Sequence, residues 1–224
     1  MDNNYGQYNM MYKLMIILSL ASGLAIAALL QHRKKVPAYI IAMSLMLNIM
    51  LILQGAIFTT LILSKGEGIG LNSSGAALGM IIGILIFSLI APQYRKAFME
   101  SYITVLPLMY GIGKIGCSFA GCCYGMAYSG PLAMTDAEGI SRFPIQPLEA
   151  IVFILAFVLV LTLDIRKRLT PLLAGISFAT IKIVLDFLRE SHQGHIVTSN
   201  QLMCIFIIAF CIIAFKYISR GDTI

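Results

Sequence analysis

Seven long apolar runs constrain the fold of this chain more than any other feature of its sequence. Each run is close to the ~20 residues that an α-helix needs to cross a bilayer. Only 12% of the 224 residues are charged, whereas a soluble domain carries about 25%. The sequence therefore predicts an all-α, polytopic membrane protein that forms a single membrane-embedded domain over residues 1–224. The predicted spans are about 12–30, 37–63, 71–91, 101–119, 148–163, 171–188 and 200–216.

The loops between these runs alternate in charge, and this alternation predicts the orientation of the chain. One set of loops carries clusters of basic residues, whereas the other set carries few. Lys and Arg are enriched in cytoplasmic loops, so the first set should face the cytoplasm. Seven spans then place the N-terminus outside and the C-terminus inside. The basic clusters are at residues 33–35, 95–96, 166–168 and at Lys216 with Arg220.

The first apolar run has some features of a cleaved signal peptide. Lys13 precedes it, and the AIA sequence at 25–27 is loosely similar to a cleavage site. The run nevertheless continues to Leu30 and ends in a basic cluster, as a spanning helix does. We therefore expect it to be kept as the first span. No basic run with interleaved aromatic residues occurs, so nucleic acid is not expected as a partner.

Residues 111–125, GIGKIGCSFAGCCYG, concentrate reactive side chains at the external end of the fourth predicted span. Lys114 lies in apolar sequence, where a charge costs about 2.5–3.5 kcal/mol on insertion scales, so it is a candidate site residue. It could instead extend to the interface as an anchor. The G-x-G-x-x-G match at 111–116 lacks the strand that a dinucleotide site needs. Its glycines more plausibly let the backbone approach a lipid head group, or let helices pack closely.

Cys117, Cys122 and Cys123 are open to three interpretations. They could be small buried hydrophobic residues, or two of them could form a disulfide outside the cell. One could also be a reactive thiolate whose pKa is lowered by Lys114 or Arg189. The spacing matches no standard zinc motif, so neither a metal nor another cofactor is expected.

Small and polar residues inside the other spans have simpler explanations. Lys182 and Asp186 are four residues apart on the sixth span, so they share a helix face and could neutralise one another. The alternative is a role in a site, because charges inside a membrane are costly. Gly75 and Gly79 on the third span are predicted to allow close helix packing.

Six short motifs follow one another along the chain and cover nearly all of it. They are YNMMY at 8–12, NSSGA at 72–76, GKIGC with GCCYG at 113–125, R-x-P-x-Q-x-x-E at 142–149, DFLRE at 186–190 and SNQ at 199–201. In this order they resemble the motifs of the prolipoprotein diacylglyceryl transferase family. The resemblance implies seven spans with the N-terminus outside, as the charge pattern also predicts.

Four positions depart from the family pattern. Ser74 stands where the family has an essential histidine, and Lys114 stands in place of the signature arginine. Cys117 replaces an asparagine, and Cys122 replaces a glutamate. The family residues that this sequence keeps are Tyr8, Gln146, Glu149 and Arg189.

The resemblance implies transfer of a diacylglyceryl group from phosphatidylglycerol to the lipobox cysteine thiol of a preprolipoprotein, at the outer face of a bacterial plasma membrane. Lys114 and Arg189 would bind the phosphate, and His192 or His195 could replace the missing histidine. The candidate catalytic residues are Lys114, Arg189, Cys117, Cys122 and Tyr8. The candidate substrate-binding residues are Lys114, Arg189, Gln146, Glu149, Gly113, Gly116 and Gln201.

Two other functions fit the same residues. The chain could transfer a lipid or acyl group to another acceptor through a cysteine nucleophile. It could also bind anionic phospholipid without any chemistry.

Overall fold

The computed structural model describes residues 2–66, 70–136, 138–192 and 196–220, with side chains omitted at 2–9 and 214–220. The described residues form seven α-helices and one short β-hairpin. The helices are α1 (Asp2–Arg33), α2 (Ala38–Leu63), α3 (Ser73–Ile90), α4 (Arg95–Ala120), α5 (Ile145–Ile165), α6 (Pro171–Asp186) and α7 (Ser199–Arg220). The strands are β1 (Met134–Thr135) and β2 (Ser141–Arg142).

Five of these helices, α1 to α5, are long and apolar enough to cross a membrane. The helix α6 has 16 residues, and the apolar part found in α7, Ser199–Ile213, is also short. The prediction of a helical, multi-pass membrane protein is therefore supported. The count of seven spans and their orientation stay predictions.

The helix α4 forms the centre of the bundle and packs against α1, α3, α5 and α6. Residues 97–105, in its first half, are all buried, with Phe98, Tyr102 and Val105 fully enclosed. The buried Thr104 hydroxyl donates to the carbonyl of Glu100 within the same helix at 2.7 Å. A helix surrounded in this way carries the residues of its last turns into the interior of the protein.

Small residues bring α2 and α3 into close contact, as the sequence predicted for α3. A side chain added at Gly75 or Gly79 would overlap the backbone of α2, and one added at Gly55 would overlap α3. Asn72 caps α3 by accepting hydrogen bonds from the backbone amides of Ser74 and Gly75. The cap fixes the first turn of α3 beside the ends of its neighbours.

Successive helices run in opposite directions, so the loops collect at two ends of the bundle. At one end Lys34 pairs with Asp164 at 2.6 Å and with Glu100 at 3.0 Å. These contacts bring together the basic clusters at 33–35, 95–96 and 166–168. The other end holds the starts of α3, α5 and α7 and the ends of α4 and α6. Most of the candidate site residues lie at this second end.

A loop over residues 121–144, here called the hairpin loop, covers part of the second end. Its Met126 amide donates to the carbonyl of Leu188, and the amide of Glu190 donates to the carbonyl of Tyr124. Arg142 on β2 reaches Asp136 within the loop and Glu190 beyond α6, both at 2.7 Å. The hairpin loop is thereby tied to the segment that follows α6.

Candidate functional site

A cavity of about 350 Å³ lies among the helices at the second end of the bundle. Its size falls in the range of small-molecule sites. Side chains such as Ile16, Leu106 and Phe178 make one part of its lining apolar. Its polar lining includes Ser73, Ser74, Lys114, Lys182, Arg189, Asn200, Cys117, Cys122 and Cys123. A cavity with an apolar part and a cationic part suits an amphipathic anion.

Glu149 joins two of the cations behind the cavity wall. Its carboxylate lies 2.7 Å from Arg189 and 3.2 Å from Lys114, and it also accepts a hydrogen bond from Tyr110 at 3.0 Å. Glu149 is fully buried and Lys114 is only 4% exposed. Lys114 is therefore held inside the protein, and the alternative in which it extends to the interface as an anchor is wrong.

Tyr110 occupies the space between two lysines of the cavity. The Lys182 Nζ lies 4.8 Å from the centre of its ring, and the Lys114 Nζ lies 5.2 Å from it. Both distances allow attraction between the cation and the ring face. Tyr110 thus keeps the two positive charges apart within the apolar interior.

Lys182 and Asp186 bind different partners, so the alternative in which they neutralise one another is wrong. Lys182 donates to the hydroxyls of Ser74 at 2.7 Å and Ser73 at 3.2 Å. Asp186 accepts a hydrogen bond from Thr198 and lies 3.6 Å from Arg189. The i,i+4 spacing made a pair on one helix plausible, but neighbouring helices supply the partners of both residues. No carboxylate pairs with Lys182 among the described residues.

Cys117, Cys122 and Cys123 form one cluster at the cavity wall. Their sulfur atoms lie within 4.8 Å of one another, and all three thiols are free. Hydrogen bonds from Cys117 and Cys122 lower the pKa of the Cys123 thiol, and the positive charge of Lys114 acts in the same direction. The disulfide interpretation is not what the structure contains, and the cluster lines the cavity instead of filling a core.

A family model described as prolipoprotein diacylglyceryl transferase matches residues 6–217 of the sequence, which is nearly all of it. The chain belongs to this family. It is 27% identical to the phosphatidylglycerol–prolipoprotein diacylglyceryl transferase 2 of Clostridium perfringens over 152 residues. This match covers 63% of this chain and 59% of that protein. It is 27% identical over 168 residues to the phosphatidylglycerol–prolipoprotein diacylglyceryl transferase of Dehalococcoides mccartyi strain 195, covering 69% and 64%. The matches therefore span less than two thirds of these relatives' lengths.

The structure separates the residues that the family motifs indicated into two groups. Lys114, Arg189, Gly113, Cys117 and Cys122 line the cavity. Of the other predicted site residues, Gln146, Glu149, Gly116 and Gln201 are not part of the cavity lining.

Gln146 and Gln201 form hydrogen bonds within the protein, and their predicted roles in substrate binding stay predictions. Gln146 is buried and donates to the carbonyl of Cys122 at 2.9 Å. The side-chain oxygen of Gln201 accepts from the amide of Thr198 at the start of α7. Gly116 lies against Tyr12 and Met15 of α1, where a side chain would be crowded.

Three other predicted residues are only partly tested. The Tyr8 side chain and all of His195 lie outside the described residues, so their roles stay predictions. His192 packs against Phe187, with ring centres 4.5 Å apart, and it is not part of the cavity lining. A replacement of the family histidine by His192 therefore has no support in this arrangement.

Tyr110, Ser73 and Asn200 were not among the predicted site residues. Lys114 is four residues after Tyr110 on the same helix, α4, whereas Lys182 comes from α6, so its contact with the Tyr110 ring depends on helix packing. Ser73 lies in the NSSGA motif and Asn200 in the SNQ motif, in the first turns of α3 and α7. Their membership of these motifs was the available signal, because the starts of α3 and α7 lie at the same end of the bundle.

Proposed function

We propose that this protein transfers the diacylglyceryl group of phosphatidylglycerol to the lipobox cysteine thiol of a preprolipoprotein, at the outer face of a bacterial plasma membrane. The observation that carries the proposal is the cavity, which joins an apolar lining to the cations Lys114, Lys182 and Arg189. Family membership supports the reaction class, and the names of the relatives supply the two substrates.

The charges around the cavity suit a phosphodiester. The cavity lining includes three cations, Lys114, Lys182 and Arg189. Two carboxylates, Glu149 and Asp186, lie against Lys114 and Arg189. One positive charge is left over, and a phosphatidylglycerol head group carries one negative charge. Because charges interact more strongly in an apolar interior than in water, this excess favours an anionic lipid over a zwitterionic one.

The same cations would help the reaction. When the thiolate sulfur attacks the glycerol carbon of the lipid, the bond from that carbon to the phosphate oxygen breaks. Negative charge develops on the departing glycerol phosphate, and donors already positioned there stabilise it without reorganisation. Arg189 can donate in two parallel hydrogen bonds, whereas Lys114 and Lys182 act as point charges.

A lipidation assay tests this function. Purified protein in vesicles that contain phosphatidylglycerol receives a lipobox peptide, and mass spectrometry reads the peptide. We expect a diacylglyceryl mass increment on the cysteine, and a loss of at least about a hundredfold in rate in Lys114→Ala and Arg189→Ala. Lys96→Ala is the matched control, because Lys96 is exposed at the other end of the bundle.

Lipid binding without turnover would favour the alternative of a lipid-binding protein. In that case the folded protein retains phosphatidylglycerol but the peptide mass is unchanged. A lipid adduct trapped on Cys117, Cys122 or Cys123 would instead favour transfer through a cysteine nucleophile.

A further inference from the structure

The cysteine cluster has the composition and geometry of a three-thiolate metal site. Its sulfur atoms lie within 4.8 Å of one another. Tetrahedral zinc holds sulfur ligands at about 2.3 Å, which places them roughly 3.8 Å apart. Small side-chain rotations are enough to close that difference. Thiolate ligands select soft or borderline ions such as zinc.

The backbone around the cluster is shaped to hold the three thiols together. Cys117 lies in the last turns of α4, which ends at Gly121 in the left-handed conformation with φ 58°. Cys123 also has a positive φ of 59°, a conformation that costs a residue with a side chain of order 1–3 kcal/mol. Gln146 fixes the carbonyl of Cys122. Such a strained and anchored turn is typical of a functional site.

The cavity otherwise offers little to deprotonate a thiol. None of the described residues that line it is a histidine, an aspartate or a glutamate. Lys182 donates hydrogen bonds to the hydroxyls of Ser73 and Ser74. A thiol with its usual pKa of about 8.5 is only a few per cent ionised at neutral pH.

We propose that Cys117, Cys122 and Cys123 bind one zinc ion, whose fourth position faces the cavity and takes the acceptor thiol as a thiolate. Three protein ligands and one open position are the arrangement of catalytic zinc sites. Lys114 and Arg189 line the same cavity as the cluster. The inference rests on the proposed function, because it concerns the acceptor of that reaction.

The step balances without any oxidant or reductant. The peptide thiol loses its proton to water as its sulfur binds zinc. This sulfur then forms a bond with the glycerol carbon, and the carbon–oxygen bond to the phosphate breaks. The electron pair leaves on the phosphate oxygen, and the resulting thioether leaves the zinc.

Cobalt substitution tests the metal site without depending on activity. Reduced, metal-free protein in detergent is titrated with Co²⁺, and the sulfur-to-cobalt charge-transfer absorption is recorded. We expect the protein to bind one equivalent of Co²⁺. A lipobox peptide that contains cysteine should then change the absorption spectrum, whereas its serine analogue should not. Cys122→Ser and Cys123→Ser should lose the absorption. Cys211→Ala should keep it, because Cys211 is buried elsewhere, near Ile81 and Ile207.

Several outcomes would overturn the inference. The first is that no charge-transfer absorption appears, and the second is that the cysteine variants absorb as strongly as the unchanged protein. The third is that the cysteine peptide leaves the cobalt spectrum unchanged, and the fourth is that mild isolation yields a disulfide in the cluster. Removal of zinc should also slow lipidation about tenfold or more, because the thiol of the acceptor peptide is then ionised only to the extent that it is in solution. Lipidation at an unchanged rate in zinc-free protein would refute the inference and leave the proposed function intact. A cobalt site that binds the peptide without lipidation at any metal content would refute the proposed function instead.

Discussion

Glu149 is the residue on which the cationic part of the cavity depends. It contacts both Lys114 and Arg189 while fully buried. Removing one partner of a buried ion pair leaves a charge that neither water nor protein compensates, at a cost of about 3–5 kcal/mol. We expect Glu149→Gln to lower the free energy of unfolding in detergent by this amount.

Glu138→Gln is the matched control, because Glu138 is exposed on the hairpin loop. Its free energy of unfolding should stay within about 0.5 kcal/mol of the unchanged protein. If Glu149→Gln lowered the free energy of unfolding by less than about 1 kcal/mol, the ion pairs of Glu149 with Lys114 and Arg189 would not be buried as described.

Lys182 should contribute directly to lipid binding, because its described partners are neutral hydroxyls. A hydrogen bond to a charged group contributes roughly 1.5–3 kcal/mol. We therefore expect Lys182→Met to weaken phosphatidylglycerol binding at least about tenfold. Lipid retained by purified protein in mixed vesicles, read by mass spectrometry, measures this.

Lys96→Met serves as the control for this measurement, since Lys96 is 85% exposed and distant from the cavity. Unchanged lipid retention in Lys182→Met would contradict a role for the charge of Lys182.

Sequence alone identified Lys182 as unusual and offered Asp186 as one possible partner. Helix spacing shows which residues share a face, whereas partners on other helices depend on packing.

Among the elements, the hairpin loop is held by one arginine. Arg142 joins Asp136 to Glu190. We expect Arg142→Ala to reduce the protection of the Met126 and Glu190 amides from hydrogen exchange about tenfold, since a charged hydrogen bond is lost. The amides within α5 should keep their protection, and equal protection in the hairpin loop would contradict this role.

Acid should loosen the same loop. Burial raises the pKa of the Asp136 carboxyl, but hydrogen bonds from Arg142 and from the Ile140 amide lower it more, so the net pKa lies below the ordinary value. A lowered pKa gives stability that is present above the unfolded value of about 3.9 and is lost as pH falls through the folded value.

We therefore expect the protection factors of the hairpin loop to be constant from pH 7 to about pH 5 and to fall below about pH 4. Hydrogen exchange corrected for its intrinsic pH dependence measures this. In Asp136→Asn the acid transition should be absent, and a transition of unchanged size would contradict the assignment to Asp136.

The elements themselves were largely predictable, because apolar runs set where helices form. Predicted bounds such as 37–63 and 71–91 are close to Ala38–Leu63 and Ser73–Ile90. The start of α4 was predicted at residue 101, but the helix begins at Arg95. The apolar run begins only after the charged residue Glu100. The helix nevertheless includes Glu100, whose carboxylate pairs with Lys34 and Lys96.

At the scale of the whole molecule, the orientation stays a prediction of the charge pattern. The contacts of Lys34 with Asp164 and Glu100 place three basic regions at one end. We expect a C-terminal fluorescent protein to fluoresce in the cytoplasm, and a protease site inserted at Gly139 to be cut from outside spheroplasts. A cut only after lysis would reverse the orientation.

The site shows the limits of prediction for the whole chain. The motif residues Lys114, Arg189 and Cys122 were found because charge and cysteine are rare in apolar sequence. The convergence of Lys182 with Ser74, from helices α6 and α3, could not be derived, since it depends on how three helices cross. The hydrogen bond from Gln146 to the Cys122 carbonyl could not be derived either, because it depends on how the hairpin loop lies over α5.

The products of a single turnover test the central claim most directly. Phosphatidylglycerol labelled in its head group and a lipobox peptide are incubated with the protein, and both products are quantified by mass spectrometry. Diacylglyceryl transfer predicts one glycerol phosphate released for each peptide that gains a diacylglyceryl thioether. Lysophosphatidylglycerol with an acylated peptide, or no product from folded protein that retains lipid, would contradict the account.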